Sequence, residues 1–522
     1  VTHNTQASSR LLAATTTTTP PSSKAKGTTY ALYGARWGQL AILSVLALVS
    51  DWVCFATAAV PSEFRAATGH DSATLIDIFL AANVASCFLY TDISKKLGLR
   101  KATIAAAGLM AVGCLFRSGG LSQQGGVPAY EFLVAGTILV GIAQPFFQCA
   151  PPLLSATWFS KTERSLATAT ALNANQLGIA TAFLVGGRVS GEASRLGPYM
   201  GTITMAAIAS FVATLLFFRD RPPTPPTASA AAALEWQQQQ KAETTELQET
   251  NGGGLTYPSL LKQLLFDTPT FAAPLAAFVA SIGVTNVVSA FAGDALDRAA
   301  CRGAGVAAVG ASFQVAIVLG GILLGGFVDR TRTYKPTTLA CLYFALGTLA
   351  LLGVAEGYDV DLPTPVVVGA ILALGGAVGP VQPLNAELAV EVSHPFDENA
   401  VEATQQLAGN LFSALLVPLY QAAGRFDVQL ETKNALLGLG DEGNLIGGGP
   451  DGNLVAAHLA QQQSLHFGLN GDFDDAFHKH HHLKGLIIPE PTWLSHTPSD
   501  VRGDTILLFL LVAAAAAYFK HF

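Results

Sequence analysis

The side chains richest in chemistry here are polar groups stranded in apolar text. Asp51 stands beside Trp52 within residues 36–64, RWGQLAILSVLALVSDWVCFATAAVPSEF. About twenty residues at 1.5 Å rise span the hydrocarbon core of a bilayer, and the acid falls mid-run. A carboxylate at that depth costs on the order of 2.5–3.5 kcal/mol, so it is expected to face a cavity or a partner rather than lipid. There it can hold a cation or carry a proton. The plainer alternatives are a structural hydrogen bond to a helix Ser or Thr, or a solvated mouth position in a shallower span. The indole of Trp52 suits a cation–π contact with an amine or quaternary ammonium group, and it equally suits a core aromatic.

Glu402, Gln406 and Asn410 follow at i, i+4 and i+8, which stacks them on one helical face, with Gln405 pointing elsewhere. Such a stripe lines a cavity or bonds to a neighbouring helix, and Glu402 is expected near the membrane edge. Asn173 and Gln176 share a face by i, i+3 spacing. Glu387 and Glu391 close an apolar run before Pro395. They suit a gate network with basic loops, and Glu387 is the second candidate for a proton carrier after Asp51. Gln144, Gln148, Asn286, Gln382 and Asn385 are lone amides in apolar runs, for which helix–helix bonding is the ordinary reading.

Other chemistries lack their motifs. The glycine text at 303–305 and 320–326 has no Lys-Ser/Thr ending and reads as close helix crossing, not a phosphate loop. HExxH and GxSxG are missing, so no enzyme is expected. His478, His480, His481 and His482 sit in polar low-complexity text and read as a solvated tract. No histidine falls within an apolar run, which disfavours haem held by an axial ligand. The six cysteines are scattered without a CxxC pair and read as packing residues. No cofactor and no metal site are expected.

The elements that must position these groups are apolar segments. Half of the residues are hydrophobic and 12% are charged, against about 25% in ordinary soluble domains, and mean hydropathy is +0.41. The expected fold is an all-α membrane protein. Apolar runs cover 36–64, 72–94, 101–116, 131–158, 165–188 and 198–218, then 268–291, 303–328, 336–355, 365–390, 399–424 and 505–519, the last one short. That is twelve transmembrane helices in two six-helix halves, 36–218 and 268–522. Residues 219–267, rich in Pro, Gln and Gly, read as a linker, residues 1–35 as a disordered tail, and 425–502 as a polar insert before the last span. The loops carry a repeat: DISKKLGLRK at 92–101 and DRTRTYK at 329–335 are acid-led and basic at the same place in each half. The cation bias puts both termini and the linker in the cytoplasm and the insert on the far side. The net charge of -7 gives no reason to expect a nucleic-acid partner.

An acid-led basic loop repeated once per half of a twelve-span chain resembles the major facilitator superfamily, whose members rock two halves about a site near the midplane. Asp92, Arg100, Asp329 and Arg330 match its gating positions. Residues 141–178, GIAQPFFQCAPPLLSATWFSKTERSLATATALNANQLG, and 387–398, ELAVEVSHPFDE, are similar to solute carrier family 49. APPLLSATWF is nearer its disrupted-in-renal-carcinoma type, and NQLG and DRTRTYK are nearer its feline leukaemia virus receptor-related type. The resemblance implies a monomeric transporter, embedded in lipid, of a small amine-bearing or cationic solute, pyridoxine-like or choline-like. Proton coupling and a lysosomal or other endomembrane site follow from the first type and haem export from the second, with a plasma-membrane site as the alternative location. A non-transporting receptor or scaffold is the alternative from another class. Of the positions that enclose choline in the second type, Trp52 and Gln176 match. The aromatic of the seventh span falls on Ala290, or on Phe291 one residue later, and the glutamine of the eleventh falls on Asn410.

Overall fold

The computed structural model describes residues 30–118, 127–160, 162–189, 192–227, 230–231, 257–298, 304–357, 363–393, 396, 398–424, 427–428 and 501–521. The amino-terminal tail to residue 29, Cys301, the histidine cluster and most of the linker and insert lie outside the described residues.

Every backbone N–H and C=O in hydrocarbon needs an internal partner, so apolar runs of this length fold as helices. The first half comprises α1 (Ala35–Phe55), α2 (Ser72–Leu97), α3 (Leu99–Arg117), α4 (Tyr130–Trp158), α5 (Arg164–Gly186) and α6 (Leu196–Phe217). The second comprises α7 (Ala272–Arg298), α8 (Ala304–Thr331), α9 (Tyr334–Gly357), α10 (Thr364–Val392), α11 (Glu398–Ala423) and α12 (Gly503–His521). Ten of the twelve are long and apolar enough to cross a bilayer. The other two, α5 and α11, have 23 and 26 residues and pack between them. They are the two that carry rows of amides, which is why their hydropathy is low. The last helix, read from sequence as a short run over 505–519, extends to 19 residues.

The halves repeat in their packing. α1 packs on α5 as α7 packs on α11, α2 on α4 as α8 on α10, and α3 on α6 as α9 on α12. Between halves, α2 meets α11 and α5 meets α8, the same pair of positions exchanged. This two-fold relation is far clearer than the sequence repeat.

The turns that carry the repeated loop are tight in both halves. Gly98 has φ +78° and Arg332 has φ +57°, the left-handed region where glycine is strongly favoured. A Cβ on Gly98 would also meet the Asp220 carboxylate at 3.4 Å. We call this end of the bundle the motif end and the opposite one the insert end. At the insert end β1 (Asp427–Val428) and β2 (Val501–Arg502) pair antiparallel, bringing the two ends of the insert together. Residues 257–271, read from sequence mainly as linker, are helical turns in which Tyr257, Leu264 and Phe271 are buried. Exposed Leu216, Leu323 and Leu415 belong to the outer surface that lipid would cover.

Candidate functional site

Two helices are broken at the same position in each half. α4 runs as Tyr130–Ala143, Pro145–Gln148 and Pro151–Trp158, and α10 as Thr364–Val378 and Val381–Val392. Proline lacks an N–H and cannot continue the ladder, and Pro145, Pro151 and Pro380 stand at these breaks. Discontinuous helices are tolerated in a membrane where they line a cavity. The breaks present Gln144, Gln148 and Gln382 to a cavity of about 30 Å³ at the interface of the halves. At about 10–15 Å³ per water, it holds two or three waters rather than an organic solute, so the halves must part to admit one.

α1 and α5 supply the other wall. They cross so closely that a Cβ on Gly178 would lie 2.2 Å from the Leu48 carbonyl oxygen. That approach brings Asp51 of α1 to the cavity with Asn175 and Gln176 of α5. Arg117, buried at the end of α3, donates to the Val53 carbonyl oxygen at 3.1 Å and to Thr137. A cation on the last carbonyls of a helix satisfies an orphan acceptor and suits the helix dipole. Arg117 thus fixes the end of α1 just past Asp51.

A buried chain of amides crosses the interface. Gln144 Nε2 donates to Asp51 Oδ1 at 2.8 Å, Asn83 Nδ2 donates to Gln144 Oε1 at 2.6 Å, and Asn410 Nδ2 donates to Asn83 Oδ1 at 2.9 Å. Asp51 of one half is thereby linked to Asn410 of the other. Three oxygens facing this region stay without a donor: Asp51 Oδ2, Asn175 Oδ1 and Gln176 Oε1. Asp51 is 6% exposed and pairs with no basic side chain among the described residues. A buried, uncompensated carboxylate is costly, so this group is stable with a bound proton or a bound cation.

Of the residues singled out from sequence, Asp51, Gln176, Gln406 and Asn410 line the cavity, with Gln144, Gln148, Asn286 and Gln382. Trp52 does not: its Nε1 donates to the Tyr199 hydroxyl at 3.2 Å, away from the cavity. Phe291 lies at a kink of α7, 5.0 Å from the Tyr420 ring, and is also outside the lining. The aromatics that do line it are Phe55 and Phe79. Glu387 sits toward the motif end, where the Tyr334 hydroxyl donates to it at 3.1 Å. Glu402, expected near the membrane edge, is instead 3% exposed and accepts from Gln406 Nε2 at 3.0 Å. Arg100 does not pair with Asp92. It donates to the Phe218 carbonyl at 2.7 Å, and its backbone N–H donates to Asp220, so it ties α3 to the end of α6. Asp92 is half-buried and Arg330 exposed, and the Asp329 side chain lies outside the described residues. Asn83, Asn175, Phe55 and Phe79 were missed. Asn83, a lone amide in an otherwise apolar run, carried the signal that could have found it.

The profile of the Major Facilitator Superfamily matches residues 40–417. The chain belongs to the major facilitator superfamily. Its curated relatives include members of solute carrier family 49, as the sequence resemblance implied. Solute carrier family 49 member A3 of Xenopus tropicalis is 25% identical over 411 residues, 76% of this chain and 79% of that protein. The choline/ethanolamine transporter FLVCR1 of Felis catus is 26% identical over 497 residues, 92% of this chain and 80% of that one. A crystal structure of a D-xylose–proton symporter matches at a TM-score of 0.56 with 16% identity, covering 74% of this chain and 90% of that one. That likeness shows the fold alone. Membership of this superfamily makes the chain a multi-pass membrane transporter rather than an enzyme.

Proposed function

We propose that this transporter moves a small organic solute bearing a protonated amine, by alternating access of the two halves, with Asp51 as its charge partner. The observation that carries this reading is the set of donor-less oxygens on Asp51, Asn175 and Gln176, which together offer three acceptors and one formal negative charge. An ammonium group supplies both the N–H donors and the positive charge that such acceptors call for. Two relatives in this family are choline/ethanolamine transporters, and of those two solutes ethanolamine has the N–H groups that these acceptors would use. A quaternary, choline-like ligand is the second reading, favoured by the rings of Phe55 and Phe79 in the lining.

Buried carboxyls with no basic partner among the described residues, Asp51 and Glu402, support proton linkage of this movement. The bias of Lys and Arg among the loops supports a cytoplasmic motif end. An acidic organelle such as the lysosome would supply the gradient, and microscopy of the tagged protein tests that location. The function is tested by flux of labelled ethanolamine, choline and pyridoxine into proteoliposomes, with and without a pH gradient. Ethanolamine flux that falls at least tenfold in Asp51→Asn is the expected result. Flux unchanged in that variant removes Asp51 from the site, and choline carried in preference to ethanolamine selects the second reading.

A further inference from the structure

The cavity accounts for one buried carboxyl, and the membrane region holds another in the opposite half. Glu402 lies on α11, one turn from Gln406 toward the motif end. It is 3% exposed, Gln406 is 2% exposed, and Gln406 Nε2 donates to Glu402 Oε1 at 3.0 Å. Gln406 lines the cavity and Glu402 does not. The arrangement repeats that of Asp51, which accepts from Gln144. Each half thus holds a buried acid that is bonded to a glutamine facing the shared cavity.

Among the described residues, Glu402 pairs with no basic side chain. Cys149 of α4 lies within electrostatic range of it, and Cys87 of α2 donates to Asn83 Oδ1 at 3.3 Å. Tyr257 is buried and its hydroxyl hydrogen-bonds that of Thr404 at 3.2 Å. From α10, the contact with α11 is an amide one, Gln405 Nε2 to the Asn385 carbonyl oxygen. α7 and α12, also packed on α11, add no charged group beside it among the described residues. Thiols and a phenol cannot neutralise a carboxylate, and an unpaired charge at such a depth is strongly disfavoured. The position differs from that of Asp51 in one respect: Glu402 is screened from the cavity by Gln406, so an organic solute in the cavity meets the amide and a proton is the cation small enough to reach the acid.

We propose that Glu402 is the proton-carrying group that links solute movement to a pH gradient, a site separate from the solute's own partner Asp51. This deepens the reading above and rests on it. In each cycle Glu402 takes one proton from water on one side and gives it up on the other, and only its O–H bond forms and breaks. The protonated acid is neutral and lets α11 stay packed on α2 and α4. The bare carboxylate favours the conformation in which water reaches it.

The test uses full-length protein in liposomes with labelled ethanolamine as the probe, comparing wild type, Glu402→Gln and Glu402→Asp. Counterflow at equal pH on both sides needs binding and rocking without net proton movement. Gradient-driven accumulation needs the proton as well. One proton per solute across one pH unit supports roughly tenfold accumulation, since 1.4 kcal/mol is a factor of ten. Glu402→Gln is expected to keep counterflow within about twofold of wild type, while its accumulation ratio falls from that tenfold to one and solute no longer moves protons seen by a trapped pH dye. Glu402→Asp, which keeps a titratable group, is expected to restore part of the accumulation. Accumulation in Glu402→Gln equal to wild type overturns the assignment and leaves the transport reading standing. Loss of counterflow together with accumulation also overturns it, by making Glu402 a binding or structural residue. No wild-type flux of ethanolamine in either mode overturns both.

Discussion

At the scale of single residues, the acids of this protein divide by what lies opposite them. Asp51 has a glutamine and a cavity; Glu163 has an arginine. Arg36 donates to Glu163 at 3.1 Å, and its guanidinium also lies over the rings of Trp37 and Phe159. Partial desolvation pushes the Glu163 carboxyl up, but hydrogen bonds from Ser160 and Arg36 and the arginine's charge outweigh it and hold it below the ordinary glutamate value. A depressed carboxyl stabilises the fold above its unfolded pKa, about 4.3, and loses that contribution as the pH falls through the folded value. Glu163→Gln is therefore expected to lower the melting temperature slightly at pH 7, with the gap to wild type closing below about pH 4. Detergent-solubilised melting curves at several pH values check this. For Arg117, the expected cost of Arg117→Met is about 1–3 kcal/mol, the penalty of leaving the Val53 carbonyl without a donor. Because that carbonyl is two residues from Asp51, ethanolamine affinity should weaken in the same variant, as measured by binding to the solubilised protein.

At the scale of elements, the cavity exists because small residues let helices approach and prolines interrupt them. Gly178 is the clearest case, with no room for a side chain against Leu48. Gly178→Val should force α1 from α5 and destabilise the half by about 1–3 kcal/mol, the usual cost of overpacking. The fluorescence-monitored unfolding midpoint of the variant reads this. A tolerated valine would mean that α1 and α5 do not cross as described. Helices α5 and α11 show how the elements were legible. Their polar faces were visible as periodic amides, and that same polarity took them below the hydropathy of a free-standing span. They can sit in the membrane because their amide faces meet the interface between halves instead of lipid.

At the scale of the whole molecule, the two halves touch along α2–α11 and α5–α8. The seam is tight at the insert end: Gln421 Nε2 donates to Asp71 Oδ2 at 2.7 Å, and a Cβ on Gly187 would lie 2.4 Å from that of Ala307. Alternating access requires this seam to part in each cycle. Cysteines at Asp71 and Gln421, joined by a short bifunctional thiol reagent, should stop net flux, and a cleavable linker should restore it on reduction. The five described native cysteines are buried and should not compete. Flux that survives the cross-link would show that the insert end does not open.

Much was readable before any coordinates: the helical membrane fold, the division into two halves, the superfamily, and Asp51, Gln176, Gln406 and Asn410 as polar groups in need of a cavity. The superfamily came from the resemblance of the repeated loop; the fold and the stranded polar groups follow from local physics, since an apolar run of bilayer length must be helical and a polar group within it must find a partner. Which partner it finds is not local. Trp52 is next to Asp51 in sequence, yet successive side chains on a helix point about 100° apart, and its indole turns to Tyr199 while Asp51 turns inward. Asn83, an amide in the apolar run 72–94, was passed over in the sequence, and the α2–α11 contact put it between Gln144 and Asn410. Glu402 looked like an edge residue until α2, α4 and the Tyr257 turn covered it. Sequence determined which groups could not face lipid, and the packing of one half against the other decided what each of them faces.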